Sequence, residues 1–199
     1  MSDVAAAVAA IRVGGLAIVP TDTVYGLATT PYAEAPVRRL YRAKGREDVQ
    51  PTALVAADLD TLFACVPELR DSAPIVRALL PGPYTLVLPN PARRFEWLTG
   101  SNPSTIGVRV PAAEGPGAAV LAGVGALVAT SANMPGGPDP RRLEDVPDEL
   151  RGAVDAMVDG GELPGTPSTV LDLTGPEPAV VREGAVPAAD ALRVVASVL

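Results

Sequence analysis

Short apolar runs alternate with amphipathic stretches along most of the chain. The first ten or so residues are Ala-rich with few breakers, which predicts a helix over 4–13, closed by Gly14-Gly15. Leu16-Ala17-Ile18-Val19 predicts a buried strand, and Pro20 should take the chain out of the sheet. Val37, Leu40 and Tyr41 recur at helical spacing, so 35–42 predicts a helix with Arg38, Arg39 and Arg42 on its solvated side. Further strands are predicted over 52–56, 84–88, 106–110, 126–129, 156–158, 168–173 and 179–182. Helices are predicted over 59–63, 73–80, 118–122, weakly over 143–150, and over 188–199. Pro81-Gly82-Pro83 stops the helix before it. Residues 93–105 look irregular, anchored by Phe95 and Trp97, while 135–140 and 160–167 read as Pro/Gly loops. Strands alternating with helices, with no repeat and no linker, predict one α/β domain over 1–199.

Two of the strands run into clusters of polar groups. Pro-Thr-Asp-Thr-Val-Tyr-Gly-Leu at 20–27 puts two hydroxyls and a carboxylate at a strand end, where open α/β sheets place ligand crevices. A side-chain-capped turn explains the same residues equally well. Thr130-Ser131-Ala132-Asn133 is a second such cluster, again open to reading as an ordinary turn. Arg109 sits in an otherwise apolar strand and must face either a pocket or an acidic partner.

Composition narrows the chemistry. Among 199 residues there is no histidine, which excludes Ser-His-Asp and Cys-His nucleophiles and His-ligated metals. A single cysteine, Cys65, excludes an internal disulfide and a multi-cysteine zinc site, and its apolar neighbours read as a plain core thiol. No apolar run approaches the ~18 residues of a membrane span, and Met1-Ser2-Asp3 lacks the basic start of a signal peptide. A reducing, cytoplasmic setting is therefore expected. The net charge of −7 argues against a general nucleic-acid binder. Of 16 basic residues only Lys44 is lysine, which is either a bias toward arginine or a position that needs a compact ammonium against phosphate. Lys44 is expected in a loop just after the helix, beside Gly45 and Arg46. Walker, dinucleotide and G-x-S-x-G signatures are absent.

Taken together, several segments resemble the YrdC-like threonylcarbamoyl-AMP synthases, also called TsaC. They are the 20–27 motif, Lys44-Gly45-Arg46, Pro81-Gly82-Pro83-Tyr84-Thr85-Leu86, and Thr105-Ile-Gly-Val-Arg109-Val-Pro111. Thr130-Ser131-Ala132-Asn133 with Gly136, Ser168-Thr169-Val170 before Asp172, and Arg182 before Gly184 complete the set. They run in the family's order over nearly the whole chain, whose length matches the single-domain members.

The resemblance implies a twisted, mixed α/β sheet flanked by helices around a deep, positively lined cavity. It implies an enzyme that joins L-threonine, bicarbonate and ATP into threonylcarbamoyl-AMP and pyrophosphate for the t6A modification of tRNA. Lys44, Arg46, Ser131 and Asn133 match the family's catalytic tetrad. Lys44, Arg46, Gln50, Thr105, Ser131, Asp139 and Arg182 match ATP-contacting positions, and Thr23, Arg109, Ala129 and Ser168 match threonine-contacting ones. Mg²⁺ would come with the nucleotide, with no metal held by protein ligands alone. The product would pass to a tRNA threonylcarbamoyltransferase complex, with tRNA contact weak or indirect and no membrane involved. The chain departs from the family in five places, the first being Gln50, which falls near a family Asn aligned with ATP. Glu47 follows Lys-Gly-Arg where Pro is usual, Val55 stands near a threonine-site His of many members, Pro167 replaces a Glu, and Asp139 falls near a Ser. A carbamoyl-transfer relative and a non-catalytic RNA-binding module using the basic run at 38–46 are the other two readings.

Overall fold

The computed structural model describes residues 3–45 and 50–198. In chain order the elements are α1 (Asp3–Arg12), β1 (Ala17–Pro20), β2 (Tyr25–Thr29), α2 (Glu34–Lys44), β3 (Ala53–Ala56), α3 (Leu59–Cys65), α4 (Ala73–Leu79) and β4 (Tyr84–Pro89). There follow β5 (Thr105–Arg109), α5 (Gly115–Val124), β6 (Ala126–Ser131), α6 (Asp148–Ala153), β7 (Ala156–Met157), β8 (Thr169–Asp172), β9 (Ala179–Arg182) and α7 (Ala188–Ala196). Among the described residues no helix is long and apolar enough to cross a membrane.

The strands form one mixed sheet in the order β7-β1-β2-β6-β3-β5-β4-β8-β9. Pairs β1–β7, β3–β5 and β4–β8 are parallel, and the others antiparallel. Because side chains alternate across a sheet, these registers sort the strand residues onto two faces. Ile18, Leu27, Leu54, Leu86, Val108, Val128 and Leu171 point to the main core, where Val37, Leu40 and Tyr41 of α2, Leu62 and Phe63 of α3, Ile75 and Val76 of α4 and Val195 of α7 meet them. On the other face only one end is covered. There Ala17, Val19, Ala28, Val55 and Leu127 pack with Ala7 and Ile11 of α1 and Val120 and Leu121 of α5.

The uncovered part of that second face carries small residues in register. Ala129 of β6 pairs with Ala53 of β3. The β3–β5 register puts Gly107 next in the row, and a Cβ on Gly107 would lie 3.6 Å from the Ala53 Cα. Three adjacent strands thus contribute one carbon or none, and the face sinks into a cavity.

Most predicted elements are present within a few residues, with three differences. Pro20 does not end its strand but pairs with Tyr25, so the second half of the 20–27 motif is a strand of its own in a hairpin. The helix predicted over 118–122 spans Gly115–Val124. Lys44 is the last residue of α2, not a loop residue, and Gly45, in the left-handed region at φ 63°, caps the helix with its N–H on the carbonyls of Arg42 and Tyr41.

Candidate functional site

The cavity has a volume of about 270 Å³ and lies on the uncovered face. Its floor is the small-residue row Ala129, Ala53 and Gly107, with Gly26 diagonally beside Ala129, and is bordered by Val19, Val55 and Leu127. Its polar lining is hydroxyl-rich, from Thr21, Thr23, Thr85, Thr105, Ser131 and Ser168, and its charged lining residues are Arg109 and Arg182. No carboxylate is among the described lining residues, and no group of three or more His, Cys, Asp or Glu among the described residues could hold a metal ion. With two arginines and no carboxylate among its described residues, the lining fits an anionic ligand.

The hairpin turn is built by Thr21. Its Oγ1 accepts from the backbone N–H groups of Thr23 and Val24 (3.2 Å each) and donates to the Val24 carbonyl at 2.7 Å. That closed turn holds Thr23 and Asp22 toward β5. Arg109 Nη2 donates to Thr23 Oγ1 at 2.9 Å and to Asp22 Oδ1 in an ion pair whose side chains are 11% and 9% exposed. Asp22 Oδ2 accepts from the Ala112 N–H at 3.1 Å. Both readings of Arg109 therefore hold at once, since it faces the pocket and has an acidic partner. Its Nε is buried, and among the described residues it is the side-chain polar atom left without a partner. Leaving such a donor unmet costs about 1–3 kcal/mol. Burial holds the Arg109 guanidinium below its ordinary pKa, Asp22 opposes this, and the charge of Arg182 adds to it. A carboxylate bound near the two arginines would offset both by its opposite charge.

The opposite wall is made by β8. Ser168 is 3% exposed, its Oγ is 2.9 Å from Thr85 Oγ1, and its carbonyl accepts from Arg182 Nη2 at 2.7 Å. The chain reaches β8 from β7, near the far edge of the sheet, through residues 158–168. Tyr25 pins that segment, because its hydroxyl is 3.0 Å from Asp159 Oδ1 and 2.8 Å from the Gly161 carbonyl and accepts from the Gly160 N–H at 2.9 Å. Gly165 N–H then donates to the Thr23 carbonyl at 2.8 Å, which ties the segment to the hairpin turn.

At the end of β6, Lys44 joins the second polar cluster. It is 5% exposed, and its Nζ donates to the Ser131 carbonyl at 2.6 Å and to the carbonyl and Oδ1 of Asn133. Ser131 Oγ donates to Asn133 Oδ1 at 2.8 Å, and Asn133 Nδ2 to the Gly137 carbonyl at 2.6 Å.

Of the residues singled out in the sequence, Thr23, Thr105, Arg109, Ala129, Ser131, Ser168 and Arg182 line the cavity. Lys44 and Asn133 are not lining residues but are bonded to one, Ser131. Gln50 is exposed and Asp139 half-buried, and neither lines the cavity. Arg46 and Glu47 lie outside the described residues. Val55, at the position where many family members carry His, contributes to the apolar floor beside Arg109, its register partner. Sequence reasoning did not assign Asp22 to Arg109 or find Thr85. The first pairing spans 87 positions and leaves no local signal, whereas Thr85 could have been found from strand alternation next to Ser168.

The Sua5/YciO/YrdC family model, described as "Telomere recombination", matches residues 9–184. The chain is 34% identical over 190 residues to the threonylcarbamoyl-AMP synthase of Pyrococcus abyssi, covering 94% of this chain and 56% of that relative. It is 38% identical over 159 residues to the threonylcarbamoyl-AMP synthase of Stenotrophomonas maltophilia, covering 77% of this chain and 84% of that one. The crystal structure of P. abyssi Sua5 complexed with L-threonine superposes with a TM-score of 0.87 at 32% identity, covering 98% of this chain and 58% of that one. The chain thus spans little more than half the length of the P. abyssi protein.

Proposed function

The chain belongs to the Sua5/YciO/YrdC family, and we propose that it is an L-threonylcarbamoyl-AMP synthase. The observation that carries this reading is the Arg109 guanidinium, anchored on Asp22 and Thr23 at one side of a cavity with no carboxylate among its described lining residues, with the Lys44–Ser131–Asn133 network nearby. The relatives named threonylcarbamoyl-AMP synthase and the P. abyssi structure holding L-threonine support it.

In this reading the L-threonine carboxylate accepts from Arg109, with Thr23, Ala129 and Ser168 around the amino acid. The threonine amine adds to the carbon of bicarbonate, a C–N bond forms and water leaves, giving a carbamate. A carbamate oxygen then attacks the α-phosphorus of ATP. The P–O bond to the β-phosphate breaks, and pyrophosphate departs with the negative charge. No histidine is needed, because the protein's part is to orient and to stabilise charge. Ser131 and Asn133 orient phosphate oxygens, Lys44 holds both in place, and Arg46, Gln50, Thr105, Asp139 and Arg182 serve the nucleotide. Mg²⁺ carried by the nucleotide would neutralise charge at the phosphates. The product goes to a tRNA threonylcarbamoyltransferase complex in the cytoplasm, and tRNA contact by this chain is weak or indirect.

The test is pyrophosphate release with each substrate withheld in turn. Release should require ATP, L-threonine and bicarbonate together. Release that continues without threonine would overturn the synthase reading, and turnover confined to carbamoyl phosphate would replace it with carbamoyl transfer.

A further inference from the structure

The stretch Pro81-Gly82-Pro83-Tyr84-Thr85-Leu86 carries part of the family resemblance, yet no step of the reaction above uses it. Leu86 is buried in the main core, so strand alternation turns Thr85 to the cavity, which it lines half-buried. One step beyond the Leu86–Val108 pair, the β4–β5 register sets Thr85 across from Arg109, and side chains so placed have Cβ atoms about 4.5–5.5 Å apart. On its other side, Thr85 Oγ1 is 2.9 Å from Ser168 Oγ, its one hydrogen-bond partner among the described residues. Arg182 Nη2 donates to Ser168 Oγ at 3.3 Å and to the Ser168 carbonyl at 2.7 Å. Ser168 is 3% exposed, and among the described residues Thr85 Oγ1 is the acceptor within reach of its hydroxyl. The donors therefore run from Arg182 to Ser168 to Thr85, which leaves the Thr85 O–H to donate into the cavity. Val170, the register partner of Thr85 on β8, and Val87 flank it with apolar carbon in the same lining.

The geometry points to Thr85 as a specificity-determining residue that donates a hydrogen bond to the side-chain hydroxyl of the amino acid held by Arg109. This deepens the synthase reading and rests on it. In L-threonine the hydroxyl sits on the carbon next to the one that bears the carboxylate. With the carboxylate on Arg109, the hydroxyl reaches toward the neighbouring strand, where Thr85 stands, and the methyl on the same carbon meets the valines. A site built around a substrate hydroxyl rejects the analogue that lacks it, because its own polar group is then left unpaired. For threonine that analogue is L-2-aminobutyrate, which keeps the carboxylate, the amine and the carbon skeleton.

The experiment is calorimetric titration of the parent, Thr85→Val and Thr85→Ser with L-threonine and with L-2-aminobutyrate, with circular dichroism to check the fold. The parent should bind threonine at least about tenfold tighter than aminobutyrate. Thr85→Val keeps the branched shape and removes the hydroxyl. Its affinity for threonine should fall about tenfold while that for aminobutyrate stays within about twofold, so the preference disappears. Thr85→Ser restores the hydroxyl and should restore the preference. If the parent binds neither amino acid, the synthase reading falls and the role of Thr85 with it. If the parent binds threonine without preferring it, or Thr85→Val prefers it as strongly as the parent does, the role of Thr85 alone is refuted. Equal losses for both ligands in Thr85→Val would make Thr85 a purely structural residue and refute it too. Should Thr85→Val fail to fold, Thr85→Ala removes the same hydroxyl and decides, and loss of the fold in both would again refute the role.

Discussion

Replacing Lys44 tests whether the end of β6 is pinned from α2. The lysine is 5% exposed, and its ammonium reaches three oxygens, the carbonyls of Ser131 and Asn133 and the Asn133 Oδ1. Lys44→Met keeps the length of the stem and removes the donor. Asn133 Oδ1 would retain Ser131 Oγ as a donor, so among these three oxygens the loss falls on the two carbonyls. Hydrogen bonds to a charged group contribute about 1.5–3 kcal/mol each. Ser131 and Asn133 are half-buried, so water can return to part of the site, and a net loss of about 2–4 kcal/mol is expected. For a chain of this length that lowers the melting midpoint by roughly 4–16 °C. Lys44→Arg keeps the charge but forces a wider, planar group into a buried site, at about 1–3 kcal/mol of overpacking. By shifting Ser131 and Asn133 it should also lower turnover on the order of 10²–10³-fold. Exposed Arg42→Lys, two residues earlier, should change neither. Urea unfolding gives the stabilities, and pyrophosphate release well below every midpoint gives the turnover. A loss under about 1 kcal/mol for Lys44→Met would refute the pinning, and near-parental turnover for Lys44→Arg would remove Lys44 from the catalytic network.

The cavity floor offers a test that separates binding from folding. A Cβ at Gly107 would meet only ordinary contacts, at 3.6 Å or more, and Gly107 sits in a strand. Gly107→Val should therefore leave the midpoint within about 4 °C while lowering threonine and ATP affinity at least tenfold, and unchanged affinity by titration would show that no ligand uses this floor. Stability should also fall in alkali. Burial pushes the hydroxyls of Tyr25 and Tyr84 up, and that of Tyr32, on a residue 57% exposed, is raised to about 12 by local burial of the hydroxyl and by Cys65 beside it, whereas an unfolded tyrosine ionises near pH 10. The folded chain then keeps protons that the unfolded one releases, so stability is full below about pH 10 and is lost as the pH rises toward about 12. Melting curves across that range check it, and a midpoint flat through pH 11 would contradict it.

The sequence was most legible where a residue's neighbours in the chain decide its place. The apolar strands and the amphipathic helices α2 and α4 follow from spacing alone, because burial on one side imposes it. The hairpin strand β2 was hidden because Tyr25-Gly26-Leu27 begins at a polar turn and contains glycine, which reads as a breaker. The length of α5 was hidden for a related reason. A Cβ on Gly117 would come within 2.1 Å of the Pro20 carbonyl, and one on Gly123 within 2.7 Å of Val8. These glycines are close-packing contacts inside a helix, and only the tertiary structure distinguishes them from stops. The end of α2 after Lys44 was in principle readable from Gly45, a residue type that commonly closes helices in the left-handed conformation. Of the candidate site, the hydroxyl clusters and Arg109 were legible as chemistry at strand ends. The Arg109–Asp22 pairing and the burial of Lys44 were not, because both depend on contacts 87 or more positions apart.

The same glycines explain how a sheet can have a core on one side and a cavity on the other. Ala126-Leu127-Val128-Ala129 is apolar throughout, yet it alternates, with Ala126 and Val128 in the main core and Leu127 and Ala129 on the cavity face. Every strand from β2 to β8 that reaches the cavity does this. Each gives large aliphatics to the helices behind and mostly Gly, Ala, Val, Thr or Ser to the space in front, with Leu127 and Arg109 the larger residues there. An uncovered sheet face with large apolar side chains would demand a helix or a partner to bury it. Small residues and hydroxyls remove that demand, so the face can stay open without an equivalent hydrophobic penalty. What then sets the size of the opening is how closely α5 approaches the hairpin, and Gly117 against Pro20 makes that approach as tight as backbone allows. A Gly117→Ala change would push α5 away from Pro20 and widen the cavity at the end where Thr21 and Thr23 sit. The floor residues set the depth of the candidate site, and its width at this end is set from the wall, by a residue with no side chain to touch a ligand.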